Sequence, residues 1–390
     1  MALTRVAVLG STGSIGRATL SVIDRHADRF QVVAVCAHGS VDDVAAQVVK
    51  YGVPVAVMAD PEALNGIDDL PDAEWRSGHA AVLEVVEDVN VDVVVNAIVG
   101  SAGLEATLAA LRAGKRLALA NKESLVAGGP LVMEAAREGG GELIPIDSEH
   151  SAILQCLQGH DSGSVARLVL TASGGPFRGL EASELEGVGP EDALRHPTWD
   201  MGEKITVDSA TLANKALEVI EAHFLYGIDY DNIEAIVHPQ SIVHSFVEFT
   251  DGSVLAQLGF PTMELPILYA LSHPERVADA SLRTFDPIRF SPLTFEEIDR
   301  KRFGLFTLGV EAGVRGGTAP ALFNAANEIA VEAFLSRDIR FVDMPEVVAH
   351  VLATVPKRNV ETVDDVLEAD AGARGAARDF VCSRRSLTGG

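Results

Sequence analysis

The chain has 390 residues, more than one ordinary hydrophobic core supports, so two or three domains are expected. Its formal charge of −25 argues against nucleic acid, whose phosphate backbone needs a basic patch, yet it leaves room for a small anionic ligand met by local donors. A hydrophobic fraction of 47% with 5% aromatics and 35 glycines suits a soluble α/β enzyme.

In chain order, the opening "MALTRVAVLG" already reads as a strand, and no signal peptide is expected. "VAVLG" leads into a helical "SIGRATLSVIDRH" and "VVAVCA" into "VDDVAAQVVKYG". "VDVVVNAIV" leads into "GLEATLAALRAG" and "RLALA" into a further helix, before "ELIPID" closes the series. Short β-branched runs alternating with amphipathic helices indicate buried parallel strands and βαβ crossovers. Past about residue 148, "ARLVLTASGG" and "KITVD" read as strands and "SATLANKALEVIEAHFLYG" as a helix ending at Gly227. "IEAIVHPQ", "IVHSFVEF" and "SVLAQLG" follow as three strands, the last two joined by an Asp251-Gly252 hairpin signal. A proline-studded stretch then gives way to "PALFNAANEIAVEAFLS" and "MPEVVAHVLATV", both periodic at helical spacing. The expected fold is α/β, with an N-terminal Rossmann-like domain over 1–147 and an α+β domain over 148–273. A connecting segment over 274–299 and a C-terminal helical bundle over 300–390 complete it. No uncharged apolar run approaches the roughly 20 residues of a membrane span. The scattered Cys36, Cys156 and Cys382 suit a reducing cytoplasm.

Between the first strand and first helix, Gly10, Gly13 and Gly16 form a G-x-x-G-x-x-G variant of the dinucleotide fingerprint. Glycine admits a pyrophosphate close to the backbone, and Thr12 and Ser14 add hydroxyl donors beside the helix start. The alternative is a glycine-rich turn that binds nothing. A carboxylate at the tip of the second strand would mark NAD. Here the tip carries His38, Gly39 and Ser40, which leans toward NADP, with Asp42 and Asp43 starting the next helix.

"PIDSEHSAI" concentrates Asp147, Glu149 and His150. If extended, it turns both carboxylates to one side and His150 to the other. Alone, it reads as a solvated turn. Further on, Thr211, Asn214, Lys215 and Glu218 recur at i, i+3, i+4 and i+7 on an otherwise apolar helix. This is either a solvated face or a pocket, in which Ser209, Asn214 and Lys215 meet a phosphate and Glu218 adds a third carboxylate for Mg²⁺ or Mn²⁺. "TASGGPFRG" offers Ser173 on a glycine turn, and "RHPTWDMGEK" offers His196, Trp199 and Met201 as a segment able to close over a ligand. His238 and His244 read as strand-packing residues.

Together, "GSTGSIG", "ANKESLV", "IPIDSEHSAI", "TASGGPFR", "HPTWDMGEKITVDSATLANKALEVIEA" and "HPQSIVHSFVEFTDGSVLAQLG" resemble the 1-deoxy-D-xylulose 5-phosphate reductoisomerase family over nearly the whole chain. The resemblance implies conversion of that phosphorylated sugar to 2-C-methyl-D-erythritol 4-phosphate in the non-mevalonate isoprenoid route. It implies NADPH, a divalent metal (Mg²⁺ or Mn²⁺), a homodimer, and metal ligation by Asp147, Glu149 and Glu218. Carried over residue by residue, Lys122 and Ser148 contact the reacting end of the substrate. Ser173, Ser209, Asn214 and Lys215 hold its phosphate, and His196 touches it beneath Trp199 and Met201. Thr12, Gly13, Ser14, Ile15, Asn121, Glu123 and Gly202 line the NADPH site, with Gly39 and Ser40 at the tip where many relatives carry a lysine or other strong donor. His150 is not carried over. One rival is a semialdehyde-type dehydrogenase with Cys156 as nucleophile, although no activating base is evident beside it. Another is a nucleotide sensor without chemistry.

Overall fold

The computed structural model describes residues 2–199 and 201–388. The expected ranges that include Met1, Asp200, Gly389 and Gly390 reach outside the described residues at those positions. The chain divides into two compact units, one formed by Met1–Ser124, Leu131–Ser151 and Thr262–Leu282, the other by Leu125–Pro130, Ala152–Pro261 and Arg283–Gly390.

The first unit alternates strand and helix: β1 (Thr4–Leu9), α1 (Ser14–Arg25), β2 (Phe30–Ala37), α2 (Val41–Tyr51), β3 (Val55–Met58), β4 (Glu74–Ser77), α3 (His79–Glu87), β5 (Val93–Asn96), α4 (Leu104–Arg112), β6 (Arg116–Leu119), α5 (Lys122–Gly139), β7 (Glu142–Pro145) and the start of α6 (Ser148–Leu157). Its seven strands are all parallel in the order β4-β3-β2-β1-β5-β6-β7. Val6, Val8, Val35, Val94, Val95 and Leu117 are fully buried in it, as expected where helices cover both faces of a parallel sheet. The order reverses between β1 and β5, so the loops after these strands open at the switch point where doubly wound sheets bind ligands.

The second unit holds β8 (Val165–Ala172), a short α7 (Pro190–Ala193), α8 (Glu203–Thr211), α9 (Ala213–Tyr226), β9 (Ile233–Val237), β10 (Val243–Phe249) and β11 (Val254–Leu258). α10 (Glu264–Ser272) returns to the first unit and packs on α1, and β12 (Glu296–Glu297) follows in the second. α11 (Gly304–Arg315), α12 (Ala319–Leu335), α13 (Met344–Thr354) and α14 (Val363–Thr388) then pack on one another. The five-stranded sheet runs β11-β10-β8-β9-β12 and is mixed, β8 and β9 being parallel. Phe306, Phe323 and Phe334 are buried in a core shared by the sheet, α9 and the C-terminal helices.

Three local expectations are overturned. "KITVD" is not a strand: it lies inside α8, whose buried Thr206, Val207, Ala210 and Thr211 recur at helical spacing. The Thr206 hydroxyl donates to the Gly202 carbonyl at 2.8 Å, one turn back. "PIDSEHSAI" is extended only as far as Pro145; from Ser148 it is helix, started by the Ser151 N–H donating to the Asp147 carbonyl at 2.8 Å. The polar stripe belongs to two helices, because Leu212 at φ +59° ends α8 and starts α9, leaving Thr211 on the far side of the break. The strands β3 and β4 and the helices α3 and α10 were not read from the sequence.

Candidate active site

The glycine loop after β1 separates two kinds of glycine. A Cβ on Gly10, at φ +74°, would sit 2.4 Å from the Ala97 carbonyl oxygen, and one on Gly16 would sit 2.3 Å from the Gly10 carbonyl oxygen. Both are demanded by the fold itself. Gly13 meets nothing nearer than 3.4 Å, an ordinary contact. Its lack of a side chain therefore suits close approach of a ligand, the pattern a dinucleotide pyrophosphate requires. Thr12 and Ile15 are half-buried and Gly13 and Ser14 exposed around it, while His38, Gly39 and Ser40 are exposed at the tip of β2.

Asn121 caps α5, its side-chain oxygen accepting from the Ser124 N–H at 3.1 Å while its amide donates to the carbonyls of Ile98 at 2.6 Å and Gly100 at 2.8 Å. The side chain thus braces the loop after β5 at the switch point. Glu123 beside it is buried, and the Asn121 amide reaches its Oε2 at 3.3 Å.

Lys122 follows β6, and Asp147 follows the neighbouring β7. The two side chains form a buried ion pair at the carboxyl end of the sheet. Burial alone would push the Asp147 carboxyl up, but the Lys122 ammonium and the nearby His150 outweigh it and hold it well below the usual carboxylate range. His150 does not face away. It is fully buried with Nδ1 3.8 Å from Asp147 Oδ1, an electrostatic rather than hydrogen-bonding separation. The reversal follows from the helix, in which residues three apart share a face, so positions 147 and 150 meet. Ser148 is buried, and its hydroxyl donates to the half-buried Glu149.

In the second unit, His196 Nδ1 accepts from the backbone N–H of Thr198 at 3.1 Å and of Trp199 at 2.9 Å. This network assigns the proton to Nε2, which lies 3.0 Å from Ser173 Oγ and 3.1 Å from Ser209 Oγ. Burial pushes the imidazole down to about 4, so the ring is neutral near pH 7. With the ring donating, both serine hydroxyls keep their own hydrogens for another acceptor. Gly175, at φ +66°, lets this loop approach α8, since a Cβ there would lie 2.6 Å from the Ser209 carbonyl oxygen. Asn214 and Lys215 stand in the first turn of α9, and both reach back to Glu218, Asn214 at 2.5 Å. Lys215 and Glu218 are only 3% and 2% exposed, which excludes a solvated face. Beneath Ser209, buried Asp208 takes Lys204 at 3.0 Å and Asn327 at 2.7 Å, an anchor the sequence did not reveal. Gly202 caps α8, and Trp199 and Met201 are half-buried before it.

His238 packs on Phe295 and shares its Nδ1 with the Thr294 carbonyl at 2.8 Å, and His244 is buried in β10, as packing residues. Cys156 belongs to the apolar core of the second unit, an environment that keeps a thiol inert.

Comparison with known proteins gives one consistent answer. Residues 6–129 match the family profile of 1-deoxy-D-xylulose 5-phosphate reductoisomerase, residues 143–226 that of its C-terminal domain, and residues 258–376 a further DXP reductoisomerase C-terminal domain. The reductoisomerase of Cupriavidus necator is 50% identical, covering 97% of this chain and 98% of its own. That of Paraburkholderia xenovorans is 49% identical, covering 97% and 96%. The solved reductoisomerase of Zymomonas mobilis in complex with NADPH is 43% identical with a TM-score of 0.89, covering 97% of this chain and 99% of its own. A DOX-P reductoisomerase solved with NADPH, fosmidomycin and magnesium is 38% identical with a TM-score of 0.92, covering 97% and 98%. With relatives this similar along nearly its full length, the chain belongs to the 1-deoxy-D-xylulose 5-phosphate reductoisomerase family.

Proposed function

We propose that the chain rearranges and reduces 1-deoxy-D-xylulose 5-phosphate to 2-C-methyl-D-erythritol 4-phosphate, using NADPH at the glycine loop and Mg²⁺ or Mn²⁺ held by Asp147, Glu149 and Glu218. The observation that carries the residue roles is the buried Lys122–Asp147 pair at the carboxyl ends of β6 and β7, where an α/β sheet presents its ligands. All three proposed ligands are hard carboxylates, the donor type that Mg²⁺ and Mn²⁺ select. Gly13, which the fold does not require, fits a dinucleotide.

When bound, the metal supplies Lewis-acid polarisation and NADPH supplies hydride. The chain's own groups do the rest. Asp147 stays ionised across the working pH range because Lys122 and His150 lower its proton affinity. Lys122 donates to the developing oxyanion, and Ser148 orients the same end of the substrate. Ser173, Ser209, Asn214, Lys215 and neutral His196 hold the phosphate, and binding energy there orients the carbons that react. Trp199 and Met201 close over the substrate and exclude water. Thr12, Gly13, Ser14, Ile15, Gly39, Ser40, Asn121, Glu123 and Gly202 line the nucleotide.

A homodimer and a cytoplasmic location belong to this reading. Among the described residues no helix is long and apolar enough to cross a membrane. The edge strand β11 exposes Val254, Leu255 and Leu258 at 54%, 39% and 39%, a surface suited to a second copy; sedimentation at the monomer mass would set that aside. The four-part division at 147, 273 and 299 is likewise proposed, and limited proteolysis cutting elsewhere would count against it.

The decisive experiment follows NADPH oxidation with 1-deoxy-D-xylulose 5-phosphate, with and without EDTA, for the parent and Glu149→Gln. EDTA is expected to stop turnover and Mg²⁺ or Mn²⁺ to restore it. Glu149→Gln is expected to lose turnover while binding NADPH normally. A chelator-insensitive rate, or full activity in the variant, would sink the metal assignment.

A further inference from the structure

The tip of β2 offers His38, Gly39 and Ser40 and no lysine or arginine. A cation arrives there from another element. Arg17, on α1, lays its guanidinium back over the glycine loop, Nε donating to the Thr12 carbonyl at 2.7 Å and Nη2 to Asp43 Oδ2 at 3.1 Å. Asp43 stands in the first turn of α2, directly after that tip. The guanidinium therefore spans the carboxyl ends of the paired strands β1 and β2, where a dinucleotide places its adenosine ribose in a sheet of this kind.

Two consequences follow. Asp43, a carboxylate near enough to serve ribose hydroxyls as an NAD enzyme requires, already has its charge matched by Arg17. The Arg17 side chain is 60% exposed, and its planar fork keeps further N–H donors for an incoming phosphate. We propose that Arg17 is the residue that binds the 2′-phosphate and sets the preference for NADPH over NADH. The inference rests on the reading that NADPH occupies the glycine loop.

The test is direct binding to the full chain. Calorimetry would compare NADPH with NADH, and 2′,5′-ADP with 5′-ADP. Arg17→Gln is expected to weaken NADPH and 2′,5′-ADP about 10- to 100-fold, the range of a charged hydrogen-bonded contact. NADH and 5′-ADP should change by less than about twofold, a loss of this kind being confined to the phosphate. Arg17→Lys should recover much of the affinity. Asp43→Asn should hold or tighten NADPH, because it releases the guanidinium. Equal losses for both nucleotides in Arg17→Gln would make Arg17 a brace for the Thr12 loop and overturn the proposal, as would unchanged NADPH binding. A parent chain that binds neither nucleotide would overturn the glycine-loop reading itself. A parent that binds NADH as tightly as NADPH overturns only the role of Arg17.

Discussion

His196 gives a prediction that can be worked through to a number. Its Nδ1 takes two backbone N–H groups, from Thr198 and Trp199, and its ring is pushed down from 6.5 to about 4 by burial. Protonating Nδ1 would cost both contacts. At pH 7 the imidazolium is then present in about one molecule in a thousand, three units above the titration point. The sign of the stability effect follows from linkage. The folded pKa lies below the unfolded one, so the unfolded chain takes up the proton first. Stability from the neutral ring is complete above pH 6.5 and is lost as the pH falls from there toward 4. A shift of this size corresponds to at most about 3.4 kcal/mol at 1.36 kcal/mol per unit. The ring is partly exposed, and solvent screening reduces the expected loss to about 1–2 kcal/mol.

The perturbation is a pH titration of the ligand-free protein from 8 down to 4.5, observed by NMR at the imidazole and assigned by loss of the signal in His196→Gln. The ring should remain neutral with its proton on Nε2 throughout most of that range. Unfolding measured at the same pH values should show a downward slope below 6.5 in the parent that is shallower in His196→Gln. A titration midpoint between 6 and 7 would refute the reasoning, because the ring would then be partly charged at neutral pH. Under the proposed phosphate role, a neutral ring leaves the anion to hydroxyl and amide hydrogens and to the Lys215 charge.

Gly13→Ala and Gly16→Ala should part company. Gly16→Ala drives a Cβ into the Gly10 carbonyl at 2.3 Å and is expected to cost about 1–3 kcal/mol or more in thermal unfolding. Gly13→Ala should unfold like the parent yet bind NADPH on the order of tenfold more weakly; parent-like binding would remove the loop from the nucleotide site. Lys215→Ala takes the cation from a carboxylate that is 2% exposed, so about 3–5 kcal/mol of stability should be lost in EDTA. The loss should shrink with Mn²⁺ if Glu218 is a metal ligand, and the substrate KM should rise. An unchanged KM would count against Lys215 as a phosphate residue.

The nucleotide half of the chain was largely legible because its signals are local: β-branched runs, amphipathic helices and a glycine loop between them. The exceptions carry weak patterns. β4 is Glu-Trp-Arg-Ser at the edge of the sheet, with both end residues exposed, so no alternation or apolar run announces it. "PIDSEHSAI" misled because two carboxylates two apart invite a strand reading. The Asp147 that precedes Ser148, with Glu149 in the first turn, is equally a helix-start signature, and it was the stronger one. That strand reading placed His150 on the far side from Asp147, whereas its Nδ1 lies 3.8 Å from Asp147 Oδ1. Arg17 carries no such local signal, because it lies on α1 and reaches the start of α2 beyond the β2 tip only through contacts with Thr12 and Asp43 that folding creates.

The break at Leu212 shows why the substrate half resisted reading. Thr211, Asn214, Lys215 and Glu218 have perfect helical spacing, and nothing in the composition contradicts one continuous helix. Leucine at φ +59° is strained, at about 1 kcal/mol or more, and such strain persists where the surroundings hold it in place. Leu212 is 2% exposed in the core of the second unit, and the Ala213 N–H donates to the Thr211 hydroxyl at 3.3 Å across the break. With the chain interrupted, α9 begins afresh, and its first-turn N–H groups gain the positive end of a new helix beside the Asn214 amide and Lys215 ammonium. Ser209 meanwhile remains on α8, fixed from below by Asp208 with Lys204 and Asn327 and set against the ring of His196. The residue that breaks the local rule therefore leaves Ser209 on one helix and sets Asn214 and Lys215 in the first turn of the next.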